Sequence, residues 1–396
     1  MSTPALNDKG EQFDVRRLLT DERSRGIVLQ LAVLLAVALV IAFITSNTLA
    51  NLQRAGLASG FGFLDDTAFF DINQKLIDYT SQSTFGRALV VGFLNTILVS
   101  ALGIIAATLI GFSAGVLRLS PNWLISRVVT AYVEFTRNVP VLLQIIFWWA
   151  TLTALPKVRD SLSLGDAAFL NNRGIRLPAP IFEPGMEWVI GAAVVGIVAA
   201  VILGRWARKR QDQTGQIFPS GWAGLGLIIG LPLIVYFLLG QPLEWDVPVR
   251  KRFNFQGGFN ITPELIALWL ALATYTGAFI SEIVRSGILS VSRGQSEAAF
   301  ALGLRSNQTM RMIVIPQALR VIIPPLTSQY LNLTKNSSLA VAIGYQDLVS
   351  IGGTILFQSG QTLEVVGIWM AVYLSLSLLT SAYMNWYNKR IALVER

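Results

Sequence analysis

Long apolar runs, separated by short polar stretches, dominate the pattern of this chain. A membrane-spanning helix needs about 20 mainly apolar residues, because each residue rises about 1.5 Å across a hydrocarbon layer of about 30 Å. Segments that meet this requirement, some narrowly, are Ile27–Ile44, Ala88–Val116, Val139–Leu155, Trp188–Gly204, Trp222–Gly240, Leu265–Leu289, Val321–Ile343 and Val365–Trp386. The pattern predicts an all-α polytopic membrane protein with about eight transmembrane helices.

The distribution of Lys and Arg residues predicts the orientation of these spans. With the N-terminus in the cytoplasm, the inner side carries roughly twice as many basic residues as the outer side, as the positive-inside rule requires. An even number of spans returns the C-terminus to the same side. We therefore expect residues 1–26 to form a cytoplasmic arm and residues 388–396 a cytoplasmic tail.

The first apolar run has a second reading, as part of a cleaved signal peptide. Thr48, Leu49 and Ala50 resemble a cleavage site. The apolar run is longer than the usual core of 7–15 residues, and a mixed-charge segment precedes it. Residues 27–87 are therefore expected to form a retained first span and a periplasmic segment. In that segment, the stretch around Phe69–Tyr79 is either an interfacial amphipathic face or an ordered loop packed on the bundle.

Composition narrows the chemistry that the chain can perform. Hydrophobic residues make up 53% of the chain and charged residues only 14%, against roughly a quarter in soluble proteins, so much of its surface is expected to face membrane lipid. The sequence has no Cys and no His, which excludes thiol nucleophiles, imidazole bases and the usual zinc sites. It also lacks a Walker-type phosphate loop. We expect no enzyme activity, no metal and no cofactor in this chain. The net charge of +8 is scattered and predicts no nucleic-acid partner.

The inner loop after the sixth predicted span has the features of two short helices joined by a sharp bend. Gly294 or Ser296 can start the first helix, and Gly303 suits a left-handed residue at its C-terminal end. Ser306 can cap the second helix. The small side chains of Ala298 and Ala299 allow another protein's backbone to come close, and Glu297 offers a charge to a basic partner.

The spacing in this loop resembles the signature of bacterial ATP-binding-cassette (ABC) importer permeases. The signature is Glu-Ala-Ala, three residues, Gly, nine residues, Ile, one residue, an aliphatic residue and Pro. The positions that fit are Glu297, Ala298, Ala299, Gly303, Ile313, Ile315 and Pro316. Only Ile315 departs from the family, which usually has Leu there. The resemblance implies a type-1 permease core in the bacterial inner membrane, with this loop as the helix that docks on a separate ATPase subunit.

Further stretches resemble the polar amino-acid (histidine/glutamine-type) permeases within that family. They are Gly92–Thr96, Ala131–Pro140, Ile280–Ile288 and Gly294–Glu297. The resemblance covers residues 88–387 as one permease domain, with inserted helices at about 188–240. The extra first span and the inserted pair resemble the larger subunits of broad-specificity L-amino-acid importers. That likeness implies a second, related permease, a dimer of ATPase subunits that bind ATP and Mg, and a periplasmic amino-acid-binding protein.

Polar residues inside the spans are candidates for the substrate path, because charge in the membrane is costly and usually functional or paired. Pro324 and Pro325 in the polar seventh span predict a broken helix beside a water-filled cavity. Lys335 can meet a substrate carboxylate, or instead snorkel or pair with an acidic residue. Glu282 can pair with Arg285 on one helix face, or instead meet a substrate ammonium. The candidate path residues are Glu282, Gln329, Asn332, Lys335, Asn336 and Ser337.

Two functions of different classes compete for this sequence. The first is an ABC importer permease that carries L-amino acids and leaves ATP hydrolysis to its partner. The resemblance implies polar amino acids of a broad range. The second is an ion-coupled secondary amino-acid transporter. Such a carrier would be expected to place several carboxylates at mid-membrane and to break helices symmetrically in two halves. The sequence shows neither feature, and the Glu297–Gly303 loop would have no role, so we favour the importer.

Overall fold

The computed structural model describes residues 22–54, 60–165, 167–251 and 254–391. Most of the predicted N-terminal arm and the last five residues of the predicted tail lie outside these ranges. The α-helices are α1 (Glu22–Arg54), α2 (Phe85–Leu117), α3 (Trp123–Asn138), α4 (Val141–Thr153), α5 (Met186–Thr214), α6 (Ser220–Leu238), α7 (Pro263–Leu289), α8 (Arg293–Ala301), α9 (Ser306–Thr309), α10 (Ile315–Asn336), α11 (Leu348–Ser359) and α12 (Thr362–Ile391). The predicted mostly helical, polytopic fold is confirmed.

Within the described ranges, seven helical segments are long and apolar enough to cross a membrane. They contain α1, α2, α5, α6, α7, α10 and α12. The predicted third span, Val139–Leu155, corresponds to α4, which at 13 residues is shorter than the seven long segments. Helix α3 precedes it and ends at Asn138, next to the predicted start of the span. Pro140 separates the two helices, and Val139 before it has the extended backbone (φ −99°, ψ 129°) that a following proline favours.

The centre of the bundle is the contact between α2 and α7. Glycines on α2 let the two helices approach closely: a Cβ added to Gly115 would lie 2.7 Å from the Cβ of Val284. Leu268, Leu272 and Ile280 of α7 are fully buried in the same core. Small residues at such an interface favour close helix packing in a membrane, where the hydrophobic effect does not drive helix association. In contrast, the described side chains of α1 in Ile27–Ile44 are exposed, as expected for a helix surrounded by lipid.

The predicted inserted helices, α5 and α6, pack chiefly against each other. Gly196 of α5 lies so close to the Leu227 carbonyl that an added Cβ would come within 2.5 Å of its oxygen. Short strands flank this helical hairpin in the segments before α5 and after α6, where the sequence indicated only loops. The strands are β1 (Leu162–Leu164), β2 (Ala168–Asn171), β3 (Gly174–Leu177), β4 (Ala179–Phe182), β5 (Leu243–Asp246), β6 (Val249–Arg250), β7 (Phe255–Gln256) and β8 (Phe259–Ile261).

All the strand pairs are antiparallel, in the order β1-β2-β3-β8, with separate pairs β4-β5 and β6-β7. Ile175 of β3 faces Ile261 of β8, and Ala179 of β4 faces Asp246 of β5. The chain before the hairpin is thereby joined to the chain after it. The described residues of 157–261 form an inserted module, a helical hairpin with β-structure at the end where α5 begins and α6 ends.

The outer segment before α2 is an ordered loop on the bundle, which decides between the two alternatives for Phe69–Tyr79. Ile72 and Tyr79 are buried, whereas Leu76 is exposed, so the residues expected on one interfacial face point in different directions. The Asn95 side-chain amide of α2 donates to the backbone oxygens of Gln74 and Gln346. This bond pair fixes the loop to α2 and to the segment that precedes α11.

Candidate functional site: coupling loop and translocation path

The loop between α7 and α10 folds as the predicted pair of short helices with a left-handed residue between them. Helix α8 ends in a Schellman motif, in which the Leu304 N–H donates to the Ala299 oxygen (3.1 Å) and the Gly303 N–H to the Phe300 oxygen (2.9 Å). Gly303 has φ +81°, as expected at this position. An added Cβ at Gly303 would meet no atom within 4 Å, so only its backbone conformation requires glycine.

Two details of the loop differ from the sequence-based prediction. Helix α8 begins at Arg293, after Ser292, rather than at Gly294 or Ser296. Helix α9 begins at Ser306, and its cap is Arg305, whose N–H donates to the Gln308 side-chain oxygen at 3.0 Å. A polar side chain near a helix start satisfies the orphan backbone donors from more than one position, so the pattern located the helices better than their caps.

The outward face of α8 is exposed and partly apolar. Glu297 and Ala298 lie at the surface, whereas Ala299 is buried beneath them. Phe300 is 51% exposed and Leu302 83% exposed. Large exposed apolar side chains grouped beside a charge are typical of protein interaction sites. Glu297 and Ala298 are therefore accessible to another protein, whereas Ala299 is not.

Pro316 lies in the first turn of α10, directly after a π-helical turn over Met310–Val314. The Ile315 N–H donates to the Met310 oxygen across this turn. A proline is tolerated in the first turn of a helix because its missing N–H would have no intrahelical partner there. The coupling loop is thus joined to α10 without an extended linker, and the Gln317 side chain also donates to that of Gln295 in α8 (3.3 Å).

Helix α10 does not break at its prolines, contrary to the prediction. It is α-helical through Pro324 and Pro325 and changes to a 3₁₀ helix only at Ser337–Ile343. The backbone irregularity therefore lies about a dozen residues beyond the prolines. Leu333 packs against Gly103 near the middle of α2, and the Tyr330 and Thr108 hydroxyls are 3.0 Å apart. The polar end of α10 consequently lies beside the middle of α2.

One face of α10 is polar and exposed. Ser328, Asn332 and Lys335, spaced by four and three residues, are all exposed, and Gln329 and Asn336 beside them are half-buried. Among the described residues Lys335 forms no salt bridge. Most of the predicted path residues therefore share one face.

Ser337, predicted to line the same path, is turned away from this face. Its side chain is fully buried, and its hydroxyl donates to the Thr334 oxygen at 2.8 Å. Ser337 is only two residues beyond Lys335, and residues at this spacing do not lie on the same face of a helix. In this conformation Ser337 supports the backbone turn and does not line the polar face.

Glu282, the remaining candidate, is the centre of an ionic cluster at the C-terminal ends of α2, α3 and α7. Its two carboxylate oxygens accept from Arg118 and Arg285, each at 2.5 Å, and Arg137 is 3.8 Å away. Arg118 also lies 3.7 Å from Glu134. Arg137 in turn lies over the Phe279 ring, 5.2 Å from its centroid. Both carboxylate oxygens of Glu282 are engaged, which favours its structural role over contact with a substrate ammonium.

With this geometry in place, comparison with known proteins decides the family. A family model described as "Binding-protein-dependent transport system inner membrane component" matches residues 192–393. This chain belongs to that family. The match includes α8, α10 and the cluster residues of α7, and it confirms the resemblance found in the Glu297–Pro316 signature.

Three relatives align with this permease over nearly their whole length. The general L-amino acid transport system permease protein AapQ of Rhizobium johnstonii is 53% identical over 100% of this chain and 99% of its own. The putative amino-acid ABC transporter permease protein YhdX of Escherichia coli is 51% identical over 94% and 95%. The glutamate/glutamine/aspartate/asparagine transport system permease protein BztB of Rhodobacter capsulatus is 41% identical over 97% of each chain.

Arg118 is a part of the permease site that the sequence did not indicate. It follows α2 in a short turn, and its side chain is only 7% exposed. Glu134 and Arg137 are three residues apart on α3, but each forms its salt bridge with a residue outside α3. Spacing along one helix cannot reveal such a partner, because contacts between helices depend on tertiary packing.

Proposed function

We propose that this permease forms half of a membrane path that imports L-amino acids, polar and of a broad range, from the periplasm to the cytoplasm. ATP and Mg bind to a separate dimer of ATPase subunits, and this chain performs no hydrolysis. The observation that carries the proposal is the exposed surface of α8, a helix that ends at Gly303. This helix lies in the loop that connects the two spanning helices α7 and α10. The names of the three relatives support amino acids as the substrate class.

The α8 surface is the element through which ATP binding acts on the membrane path. Only three residues, Ser290–Ser292, lie between α7 and α8, and α10 follows α9 through a single π turn. A displacement of α8 by the ATPase is therefore transmitted to both α7 and α10. The outward-open and inward-open states must differ in their contacts with ATP-bound ATPase or with substrate, or nothing would shift the equilibrium.

The polar face of α10 is the proposed wall of the translocation path. Exposed Asn332 and Lys335 near mid-membrane are costly against lipid, so a second, related permease is expected to face them across a water-filled passage. Lys335 offers an ammonium to the α-carboxylate that all amino acids share. The side-chain amides of Gln329 and Asn336 can both donate and accept hydrogen bonds, which suits a broad range of polar substrate side chains.

The remaining partners follow from this arrangement. A periplasmic amino-acid-binding protein delivers substrate to the outer mouth, and both termini of the permease lie in the cytoplasm. The domain limits proposed from the sequence, with the permease core at 88–387 and an insertion at about 188–240, fit the packing of α5 with α6. Residues 1–26 and 388–396 remain the proposed cytoplasmic arm and tail.

The deciding experiment is uptake of radiolabelled amino acids into proteoliposomes that contain the purified native complex. We expect uptake only with the binding protein outside and ATP inside, and we expect it to survive ionophores that collapse proton and sodium gradients. Subunit counting on the same complex should give two different permeases and two ATPase subunits. Uptake that needs an ion gradient and no ATP would establish the secondary transporter instead.

A further inference from the structure

The outer β-structure of the inserted module holds a strongly basic cavity. This basic cradle has a volume of about 820 Å³. Its lining consists of Lys157, Val158, Arg159, Asp160, Asn172, Arg173, Arg250 and Lys251. Five of these eight side chains are cationic and one is acidic, and all five cations are exposed. Neither the family signature nor the path on α10 accounts for this cavity.

The fold assembles the basic cradle from two stretches that are far apart in the sequence. Lys157 to Arg173 precede the inserted hairpin, whereas Arg250 and Lys251 follow it. Pairing of β3 with β8 joins the two stretches, and the Arg250 guanidinium donates to the Arg159 backbone oxygen at 3.2 Å. Bringing like charges together is unfavourable. Among the described residues, none of the five cations forms a salt bridge that would offset it.

The location of the basic cradle is also unexpected. Basic residues in short loops are biased toward the cytoplasmic side, yet these five lie in the segments that the topology places outside. These five exposed cations repel one another and run against the positive-inside bias. Such a cluster has the properties of an electrostatic docking surface. Such a surface attracts an oppositely charged partner and raises its rate of association.

The form of the cradle favours a protein surface over a small anion. A tight site for a small anion holds it between buried donors that fix its orientation. Here the five cationic groups are at the ends of exposed, flexible side chains around a wide opening. Long basic side chains of this kind suit several carboxylates spread over a protein surface. The partner expected to approach from this side is the soluble amino-acid-binding protein.

We propose that the basic cradle docks an acidic patch on the substrate-loaded amino-acid-binding protein and steers it to the outer mouth of the permease. This inference rests on the proposed import function. The inserted module, which the path and the coupling loop do not require, thereby gains a role in recognition. Because the contact is electrostatic and exposed, it acts mainly on the association rate and weakens with salt.

The test measures binding-protein-dependent uptake in proteoliposomes as a function of the concentration of the importer's own purified binding protein. The variants are Arg159→Glu, Arg173→Glu, Lys251→Glu and the triple combination. Arg54→Glu is the matched control, an equal charge reversal at an exposed outer residue away from the cradle. For the triple variant we expect the half-saturating concentration of binding protein to rise roughly tenfold or more, with little change in the maximal rate. The salt dependence of uptake should also flatten.

The outcomes of this test distinguish failure of the inference from failure of the proposed function. Wild-type complex that imports no amino acid would refute the proposed function itself. If the wild type imports normally and the triple variant has wild-type half-saturation and salt dependence, the cradle does not dock the binding protein. If the triple variant instead loses glutamate but not glutamine transport at saturating binding protein, the cradle acts on the anionic substrate, and the proposal is overturned. Unchanged co-purification of the ATPase shows that the variants are folded.

Discussion

Arg118 donates a hydrogen bond of 2.5 Å to Oε2 of Glu282, across 164 residues of sequence. The Arg118 side chain is 7% exposed and that of Glu282 28% exposed, so the pair is only partly screened by water. It joins the inner end of α2 to α7, close to the point where α7 leads into the coupling loop. The cluster around it is the part of the permease that links the core of the bundle to its cytoplasmic face.

Glu282→Gln should destabilise the permease, because it removes the charge that the nearly buried Arg118 contacts at 2.5 Å and leaves only the more exposed Glu134 carboxylate, 3.7 Å away. Loss of a hydrogen bond between charged groups costs on the order of 2 kcal/mol. The melting temperature of the purified protein in detergent measures this effect. Arg285→Gln is the control, since its side chain is 32% exposed and water can replace part of the contact. Equal melting temperatures for Glu282→Gln and the wild type would rule out a stabilising role for the cluster.

Gly303→Val should weaken binding of the ATPase and abolish uptake, because a β-branched residue at φ +81° is strained by about 1–3 kcal/mol. Gly303→Asn separates this cause from steric blocking. Asn adopts the left-handed conformation more readily, and the position has open space for a Cβ. We therefore expect the Asn variant to retain most of its ATPase in co-purification. A Val variant with fully bound ATPase and normal transport would remove this loop as the coupling element.

Glu297→Lys tests the charge on the α8 surface. If the ATPase presents a basic groove, reversal of the exposed Glu297 places like charges together, which costs up to several kcal/mol. Glu297→Gln only removes the attraction and should cause a milder loss. The measurement is the amount of ATPase retained on the purified permease at low and high salt. The loss in Glu297→Lys should shrink at high salt; equal retention by all three proteins would contradict a charged contact.

Lys335→Met should impair uptake while insertion and ATPase binding stay intact. The reason is that Lys335 lies on the exposed face of α10 and forms no salt bridge among the described residues. Loss of a charged hydrogen bond to the substrate would reduce uptake by about tenfold or more. Lys335→Arg preserves the charge and should retain part of the activity. Uptake by Lys335→Met at the wild-type rate would take Lys335 out of the substrate path.

The proposed topology can be tested directly, because the permease contains no Cys and single cysteines can be introduced without removing others. Asn254→Cys should react with a membrane-impermeant maleimide in intact cells. Gln213→Cys and Gln308→Cys should react only after permeabilisation. All three side chains are exposed, so a lack of labelling cannot be attributed to burial. Labelling of Gln308→Cys from outside would reverse the orientation.

The sequence predicted the local features of the fold well. Continuous apolar runs located the spans, because lipid favours apolar side chains along the whole length of a spanning helix. Gly303 was recognised as the left-handed residue, because the chemistry of a helix C-terminus depends on a few neighbouring positions. Glu297 and Ala298 were placed on an exposed helix for the same reason, and Lys335, Asn332 and Gln329 share one face as α-helical spacing requires.

Features that depend on tertiary contacts were missed or misplaced. The Pro324-Pro325 pair was expected to break α10, but the helix runs through both prolines from Ile315 to Asn336, and residue type alone did not predict this. The apolar run that begins at Val139 was expected to be a full span, but its helix, α4, has only 13 residues and follows Pro140. Arg118 was overlooked because its partner Glu282 is distant in sequence. The outer strands were missed because each is only two to four residues long.

The close packing of α2 on α7 has a mechanical consequence. Gly115 leaves no room between the two backbones, and the Arg118–Glu282 bond clamps the pair at its inner end, so there is little compliance along this part of the bundle. A rigid pair of helices transmits a displacement from one end to the other with little bending. The three-residue connection at Ser290–Ser292 is too short to act as a flexible linker between α8 and this pair. Movement of a few ångströms at the cytoplasmic surface would thus arrive at the outer half of the membrane nearly undiminished.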